Sequence, residues 1–207
     1  MMFIALALLT VGSAGAQSLS GSLGDAYTKL MSARDEGALM QAGNRFSLIA
    51  AHWGQEWAAN YYAAYAKAFI SQKVDEAAKK DALLDEADKF VAQMNALHPN
   101  SDEGQVLTAY VAYARMMVNP SSRWKTCLPV FNASLAKAKQ VNPSNPRIYY
   151  LEGVPLFHKP KVWGGGPDKA KPDFEKAKEL FARQDTTSIL KPYWGEQDNN
   201  DYLSKCN

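Results

Sequence analysis

The side chains that most often perform chemistry in proteins are scattered through this chain. His52, His98 and His158 are far apart in the sequence, with no HExxH motif and no cysteine near them. A zinc site needs three or four convergent ligands, so these histidines are interpreted as structural and no metal site is predicted. Ser47 and the other serines lack the G-x-S-x-G context of an activated nucleophile.

Two other features resemble reactive motifs. The turn GGGPDK at 164–169 is glycine-rich, but it lacks the G-K-[ST] ending of a phosphate-binding loop and is interpreted as a tight turn between helices. The carboxylate pairs Asp35/Glu36 and Asp198/Asp201 fall on polar helix faces or in turns and do not indicate an acid/base pair. The sequence therefore predicts no catalytic residue, no bound cofactor and no enzymatic activity.

Composition narrows the class of partner. The chain has 207 residues, with 23 Lys and Arg against 21 Asp and Glu, a net charge of +2. The basic residues alternate with acids, so there is no basic patch of the kind that binds nucleic acid.

Cys127 and Cys206 leave two alternatives open. An oxidising compartment favours a disulfide, whereas neighbouring helix axes lie about 8–10 Å apart and a disulfide needs Cα atoms within about 7 Å.

The N-terminal segment indicates export. Residues 1–16 read MMFIALALLTVGSAGA, an apolar run that ends in the small-x-small sequence Ala14-Gly15-Ala16. This pattern predicts a signal peptide cleaved before Gln17, and the run is shorter than the roughly 20 residues of a membrane-spanning helix. We expect a periplasmic or secreted protein whose mature chain, residues 17–207, is a single domain without an integral membrane segment.

The segment 145–181 is the clearest copy of a repeated unit. Asn145 and Pro146 are a typical N-cap and first helical residue, and the glycine-rich turn separates this helix from a second one that begins at Pro167. In the second helix, Ala170, Phe174 and Ala177 follow at helical spacing.

The same pattern recurs upstream. The small residue of the first helix repeats as Ala64, Ala109 and Gly153, at steps of 45 and 44 residues. The apolar triplet of the second helix recurs at three earlier places: Ala42/Phe46/Ile49, Ala87/Val91/Met94 and Phe131/Leu135/Ala138.

With these motifs, the chain from about Leu19 to Cys206 resembles the tetratricopeptide-repeat family, and in particular small exported repeat proteins of Gram-negative bacteria. The units are longer than the family's repeat of about 34 residues, which predicts longer helices. The resemblance implies an all-α, tetratricopeptide-like superhelix of about four helix pairs. Tyr193, Trp194, Tyr202 and Leu203 are expected to cap its last repeat in a short C-terminal helix.

The resemblance also implies a binding face. In this family, the residues three before and one, four and five after the small residue of the first helix face the concave surface. At these offsets the sequence has an excess of aromatic side chains, which are typical of recognition surfaces. The predicted binding residues are Tyr61, Tyr65, Phe69, Tyr110, Tyr113, Tyr150, Phe157 and His158.

Three functions remain open at this stage. The favoured one is a non-enzymatic scaffold that binds a protein or peptide along the concave face. The second is a periplasmic small-ligand-binding component associated with a transport system, for which an enclosed aromatic tunnel would be the mark. The third is a structural assembly subunit. The aromatic residues could also be packed as core, or the C-terminal tail could fill the groove.

Overall fold

A computed structural model describes residues 18–206, and this part of the chain is helical without any strand. The predicted signal peptide and the cleavage position before Gln17 lie outside the described residues. The helices are α1 (Leu19–Ser32), α2 (Glu36–His52), α3 (Trp57–Ser71), α4 (Ala77–Leu97), α5 (Asp102–Val118), α6 (Pro120–Val141), α7 (Pro146–His158), α8 (Pro167–Phe181) and α9 (Glu196–Ser204).

The helices pack as consecutive pairs: α1 with α2, α3 with α4, α5 with α6, and α7 with α8. The first helices of successive pairs, α1, α3, α5 and α7, also contact one another and form an inner layer, and α9 packs against α8. The expected all-α fold of four helix pairs and a C-terminal helix is therefore confirmed.

Local sequence signals explain where the helices begin. The side chains of Ser18, Asp35 and Ser101 each accept a hydrogen bond from the backbone N–H three residues later. This capping satisfies one of the amide groups that the first turn of a helix leaves without a partner. At the turn between α7 and α8, Gly164 and Gly166 have φ of 80° and 108°, a conformation that side chains other than glycine rarely adopt.

The repeated small residues lie where the two helices of a pair meet. Ala64 and Ala109 are fully buried, and a Cβ atom added to Gly153 would lie 2.6 Å from Cε1 of Phe174. Phe174 belongs to the apolar triplet of α8, and the members of all four triplets are buried. The repeat register predicted from the sequence therefore matches the packing.

Cys127 lies in α6 and Cys206 follows α9, and both are free thiols. Within residues 18–206, no helix combines the length and the apolar character needed to cross a membrane.

Candidate functional site

The predicted binding residues lie on the inner layer of first helices. Tyr61, Tyr65 and Phe69 belong to α3, Tyr110 and Tyr113 to α5, and Tyr150, Phe157 and His158 to α7. The rings form a nearly continuous series. The ring centroids of Tyr65 and Tyr110 are 5.9 Å apart, and those of Tyr65 and Phe69 are also 5.9 Å apart, both as stacked pairs.

Part of this inner face is filled by residues 192–204, here called the covering segment. Trp194, only 3% exposed, lies with its ring centroid 5.1 Å from that of Tyr65 and 5.1 Å from that of Tyr110. Its Nε1 donates a hydrogen bond of 2.7 Å to the hydroxyl of Tyr61. The C-terminal tail therefore reaches beyond the last repeat, where a cap was expected, and fills the groove as far as α3.

A buried ion pair anchors the covering segment. Arg147 is fully buried, its Nη2 donates to the carbonyl oxygen of Pro192 at 2.6 Å, and its guanidinium lies 5.3 Å from the ring centroid of Trp194. Its Nη1 lies 2.9 Å from Oε1 of Glu103. A buried charge without partners is costly, and Arg147 has Glu103 on one side and the Pro192 carbonyl on the other. These contacts therefore favour the conformation in which the covering segment lies over α3.

The carboxylate of Glu103 is held by further donors. The side-chain amide of Asn145 donates to Oε1 at 2.9 Å, and the Tyr61 hydroxyl lies 3.3 Å from Oε2. Burial raises the pKa of Glu103, an effect that Arg147, Asn145 and Tyr61 partly offset. Trp194, Tyr61, Glu103 and Arg147 thus form a connected polar network beneath the covering segment.

Beside Trp194, the inner face and the end of the covering segment line a partly open cavity of about 430 Å³ between α3, α4, α5, α7 and α9, here called the tyrosine cavity. This volume falls within the range of roughly 300–1,000 Å³ typical of small-molecule sites. Its aromatic and aliphatic lining includes Tyr110, Tyr113, Tyr150, Val154 and Tyr202.

Polar groups in the tyrosine cavity are few and oriented. Nε2 of Gln72 donates to the Tyr110 hydroxyl at 2.6 Å, and Nε2 of His158 lies 3.0 Å from the Tyr202 hydroxyl. Burial raises the pKa of Tyr113 to about 12, and burial also raises the pKa of Tyr110 and Tyr150. These phenols are therefore neutral at physiological pH, which gives the cavity aromatic walls with polar but uncharged tips.

A second cavity, of about 480 Å³, lies on the other side of Trp194. Its aromatic lining comprises Tyr27, Tyr65, Phe69, Tyr193 and Trp194. The ammonium of Lys73 lies 5.2 Å from the ring centroid of Phe69, and the carboxylates of Glu196 and Asp198 also line this cavity. Charged side chains of both signs thus surround the second cavity, unlike the first.

The predicted binding residues separate into groups. Tyr110, Tyr113, Tyr150 and His158 meet in the tyrosine cavity, and Tyr65 and Phe69 line the second cavity. Tyr61 is fully buried and serves the polar network. Phe157 lines neither cavity and packs against Tyr202, with ring centroids 5.1 Å apart.

The lining residues of the tyrosine cavity that were not predicted from the sequence include Gln72, Lys80, Met117 and Tyr202. Gln72 lies eight residues after Ala64 and Met117 eight after Ala109, so both continue the inner face by one turn. Extending the inner-face offsets to eight residues after the small residue would have predicted Gln72 and Met117. Lys80 belongs to a second helix and Tyr202 to the tail, where the repeat pattern carries no signal.

Fold and cavity together define a class, an all-helical repeat protein whose aromatic inner face encloses a cavity of small-ligand size. Among solved structures, the chain is similar to the HusA haemophore from Porphyromonas gingivalis, with a TM-score of 0.76 and 30% sequence identity over 96% of each chain. This identity over nearly the whole length shows that the chain belongs to one family with that haemophore. No protein-family model and no curated protein matches the chain. Membership of the tetratricopeptide family therefore stays a prediction.

Proposed function

We propose that this protein is an exported, non-enzymatic carrier that binds haem, or a closely related planar tetrapyrrole, in the tyrosine cavity. The main support is the presence of a cavity lined by four tyrosines in a chain that shares fold and family with a protein named as a haemophore. These observations favour small-ligand binding over the scaffold function.

The chemistry of the cavity suits a flat apolar ligand. Aromatic side chains bind planar rings through stacked or edge-to-face contacts, and each contributes about 0.5–1.5 kcal/mol beyond the area it buries. Tyr113 and Tyr150 offer such edges and faces from neighbouring helices, and Val154 adds an aliphatic wall. A tetrapyrrole is a large apolar disc, so burying it between these side chains would be favoured by the hydrophobic effect.

Side chains of three types that can ligate haem iron line the cavity, namely His158, Met117 and the four tyrosines. Nε2 of His158 is already within hydrogen-bond distance of the Tyr202 hydroxyl. Among residues 18–206, no group of three His, Cys, Asp or Glu side chains is placed to hold a metal ion. The cavity offers apolar and aromatic contacts to the ring from several helices, and we expect these contacts to supply most of the binding energy.

A peptide along the concave face is less well supported. The covering segment fills the part of the inner face beside α3, with Trp194 against Tyr65, where an extended peptide would lie. Binding a peptide there would require breaking the contacts of Arg147 with Pro192 and Trp194.

Titration of the purified protein with haemin and with iron-free protoporphyrin tests the proposal. We expect both ligands to bind, with affinities within about tenfold of each other, a difference of about 1.4 kcal/mol. Tyr113→Leu should weaken both by about tenfold or more, since truncated aromatic anchors commonly cost over 1 kcal/mol.

Tyr149→Leu is the matched control. Tyr149 lies on the same helix as Tyr150, but its ring contacts the Lys139 ammonium and its hydroxyl donates to the carbonyl oxygen of Pro143. Affinity in this variant should be unchanged. Absence of binding by either ligand, or equal losses in the two variants, would refute the proposal.

Export is tested separately. The sequence of residues 1–16 predicts that the mature protein begins at Gln17. N-terminal sequencing of protein made in a Gram-negative host should find this residue in the periplasm or the medium. Intact Met1 on cytoplasmic protein would contradict this part of the proposal.

A further inference from the structure

The tyrosine cavity is electrically asymmetric. Its described lining includes one lysine, Lys80, and one histidine, His158, but no aspartate or glutamate. The acid with the largest influence on the cavity tyrosines, Asp198, lines the second cavity instead. A ligand in the tyrosine cavity therefore faces a cationic group and neutral phenols.

Polar groups lie at both ends of the cavity, with His158 and Tyr202 at one end and the ammonium of Lys80 at the other. Ser71 and Gln72 are at the end of α3, and Lys80 is in the first turn of α4, which packs against α3. Val154 and His158, on α7, lie across α5 from this end, because α5 contacts both α3 and α7. The cavity thus has an α3/α4 end that carries the ammonium and an α7/α9 end with apolar and aromatic walls.

The Tyr110 hydroxyl lines the same cavity as Lys80. Its oxygen accepts a hydrogen bond from Nε2 of Gln72, so its own hydrogen is directed away from Gln72 and can be donated elsewhere. The ammonium of a half-buried lysine and a neutral hydroxyl donor in one cavity are suited to an anionic oxygen, since charge-assisted hydrogen bonds are the stronger kind.

We propose that Lys80 determines specificity in the tyrosine cavity by binding a carboxylate at the edge of the planar ligand, with the ring directed toward α7. The inference rests on the proposed function and adds to it the class of ligand, a planar aromatic ring that carries a carboxylate. It also specifies the orientation of the bound ligand, with the carboxylate at Lys80 and the ring toward α7.

The test compares protoporphyrin, which carries two carboxylates, with its dimethyl ester, which has the same ring but no negative charge. Both are titrated in the same detergent into the wild-type protein, Lys80→Gln, Lys80→Arg and Lys79→Gln. Lys79 is the matched control because it is next to Lys80 on α4 but pairs with Glu36. Thermal melts of each variant establish that it is folded.

We expect the wild-type protein to bind the diacid about tenfold or more tighter than the diester, as a charge-assisted contact implies. Lys80→Gln should lose this preference while its affinity for the diester is unchanged. Lys80→Arg and Lys79→Gln should keep the preference.

Equal affinities of the wild-type protein for the two ligands, or an unchanged preference in Lys80→Gln, would overturn the role of Lys80 while leaving ring binding intact. Failure of the wild-type protein to bind either ligand would instead overturn the proposed function, and this inference with it.

Discussion

The inner face has two parts that the repeat pattern makes equivalent and the folded chain makes different. At the α3 part, the covering segment lies over the aromatic rings, and Trp194 is inserted against Tyr65. At the part formed by α5 and α7, Tyr150, which has the same offset from its small residue as the covered Tyr61, lines a cavity together with Tyr113. Position within a repeat therefore does not decide whether an aromatic residue is core or binding surface. The path of the tail decides it.

The two parts also differ in how their polar atoms are used. Beneath the covering segment, the Tyr61 hydroxyl contacts both Trp194 and Glu103 within a closed network. In the tyrosine cavity, polar contacts are isolated pairs such as Gln72 with Tyr110. A closed buried network stabilises one conformation, whereas isolated pairs beside a cavity can reorganise around a ligand.

The largest expected effect is that of Arg147→Ala, which removes the anchor of the covered part. The substitution leaves Glu103 buried without its ionic partner and breaks the contact with the Pro192 carbonyl. We expect the free energy of unfolding to fall by about 3–5 kcal/mol, the usual cost of removing one member of a buried ion pair. Urea denaturation followed by circular dichroism measures it.

Arg183→Ala is the control for that experiment. Arg183 pairs with Glu179 on the surface of α8 and is 70% exposed. Its removal should change the free energy of unfolding by less than about 1 kcal/mol, as is typical of surface pairs. Similar losses in both variants would mean that the buried network does not hold the segment.

Removing single hydroxyl groups should distinguish the covered part of the inner face from the part at the tyrosine cavity, with a smaller change in the free energy of unfolding. Tyr61→Phe removes an acceptor of the Trp194 indole N–H and a donor to Glu103, so it should cost about 1–3 kcal/mol. Tyr113→Phe keeps the ring that contacts Phe131 and should cost less than about 0.5 kcal/mol. Equal costs in denaturation experiments would remove the distinction between covered and open tyrosines.

A further effect concerns tyrosine ionisation. Burial raises the pKa of both Tyr113 and Tyr27 to about 12, from the ordinary value of 10.0. Because the folded state favours the neutral phenols, the stability they contribute is present below pH 10 and is lost as the pH rises through about 12.

Ultraviolet titration of the wild-type protein and Tyr113→Phe assigns the step of Tyr113. Bound porphyrin should raise the pKa of Tyr113 further, since it adds desolvation, and should leave that of Tyr27 unchanged. A ligand-induced shift at Tyr27 alone would place the ligand in the second cavity.

Local features of the fold were predictable from the sequence. Asn145 and Pro146 mark the start of α7, and the steps between Ala64, Ala109 and Gly153 fix which faces of the helices meet. The start of a helix depends only on adjacent residues. The small residues are recognised because they recur at nearly the same step from one repeat to the next.

The site depends on longer-range contacts. Trp194 donates to a tyrosine 133 residues earlier in the chain, a contact that no local periodicity encodes. Arg147 resembles a surface charge in the sequence, but it is buried because Glu103, 44 residues upstream and at the start of the preceding first helix, offers a partner. The predicted residues do lie on the inner layer of first helices, and their role in binding stays a prediction. Which of them the tail covers depends on these long-range contacts, which the repeat pattern does not encode.

A crystal structure of the protein with bound haem is the most direct test of binding in the tyrosine cavity. We predict the porphyrin ring between Tyr113, Tyr150 and Val154, with Trp194 still against Tyr65 and Tyr110 and the contact of Arg147 with Pro192 intact. Two results would contradict binding in the tyrosine cavity. One is a ring in the place of Trp194, with residues 192–204 displaced, and the other is a ring on the outer helices.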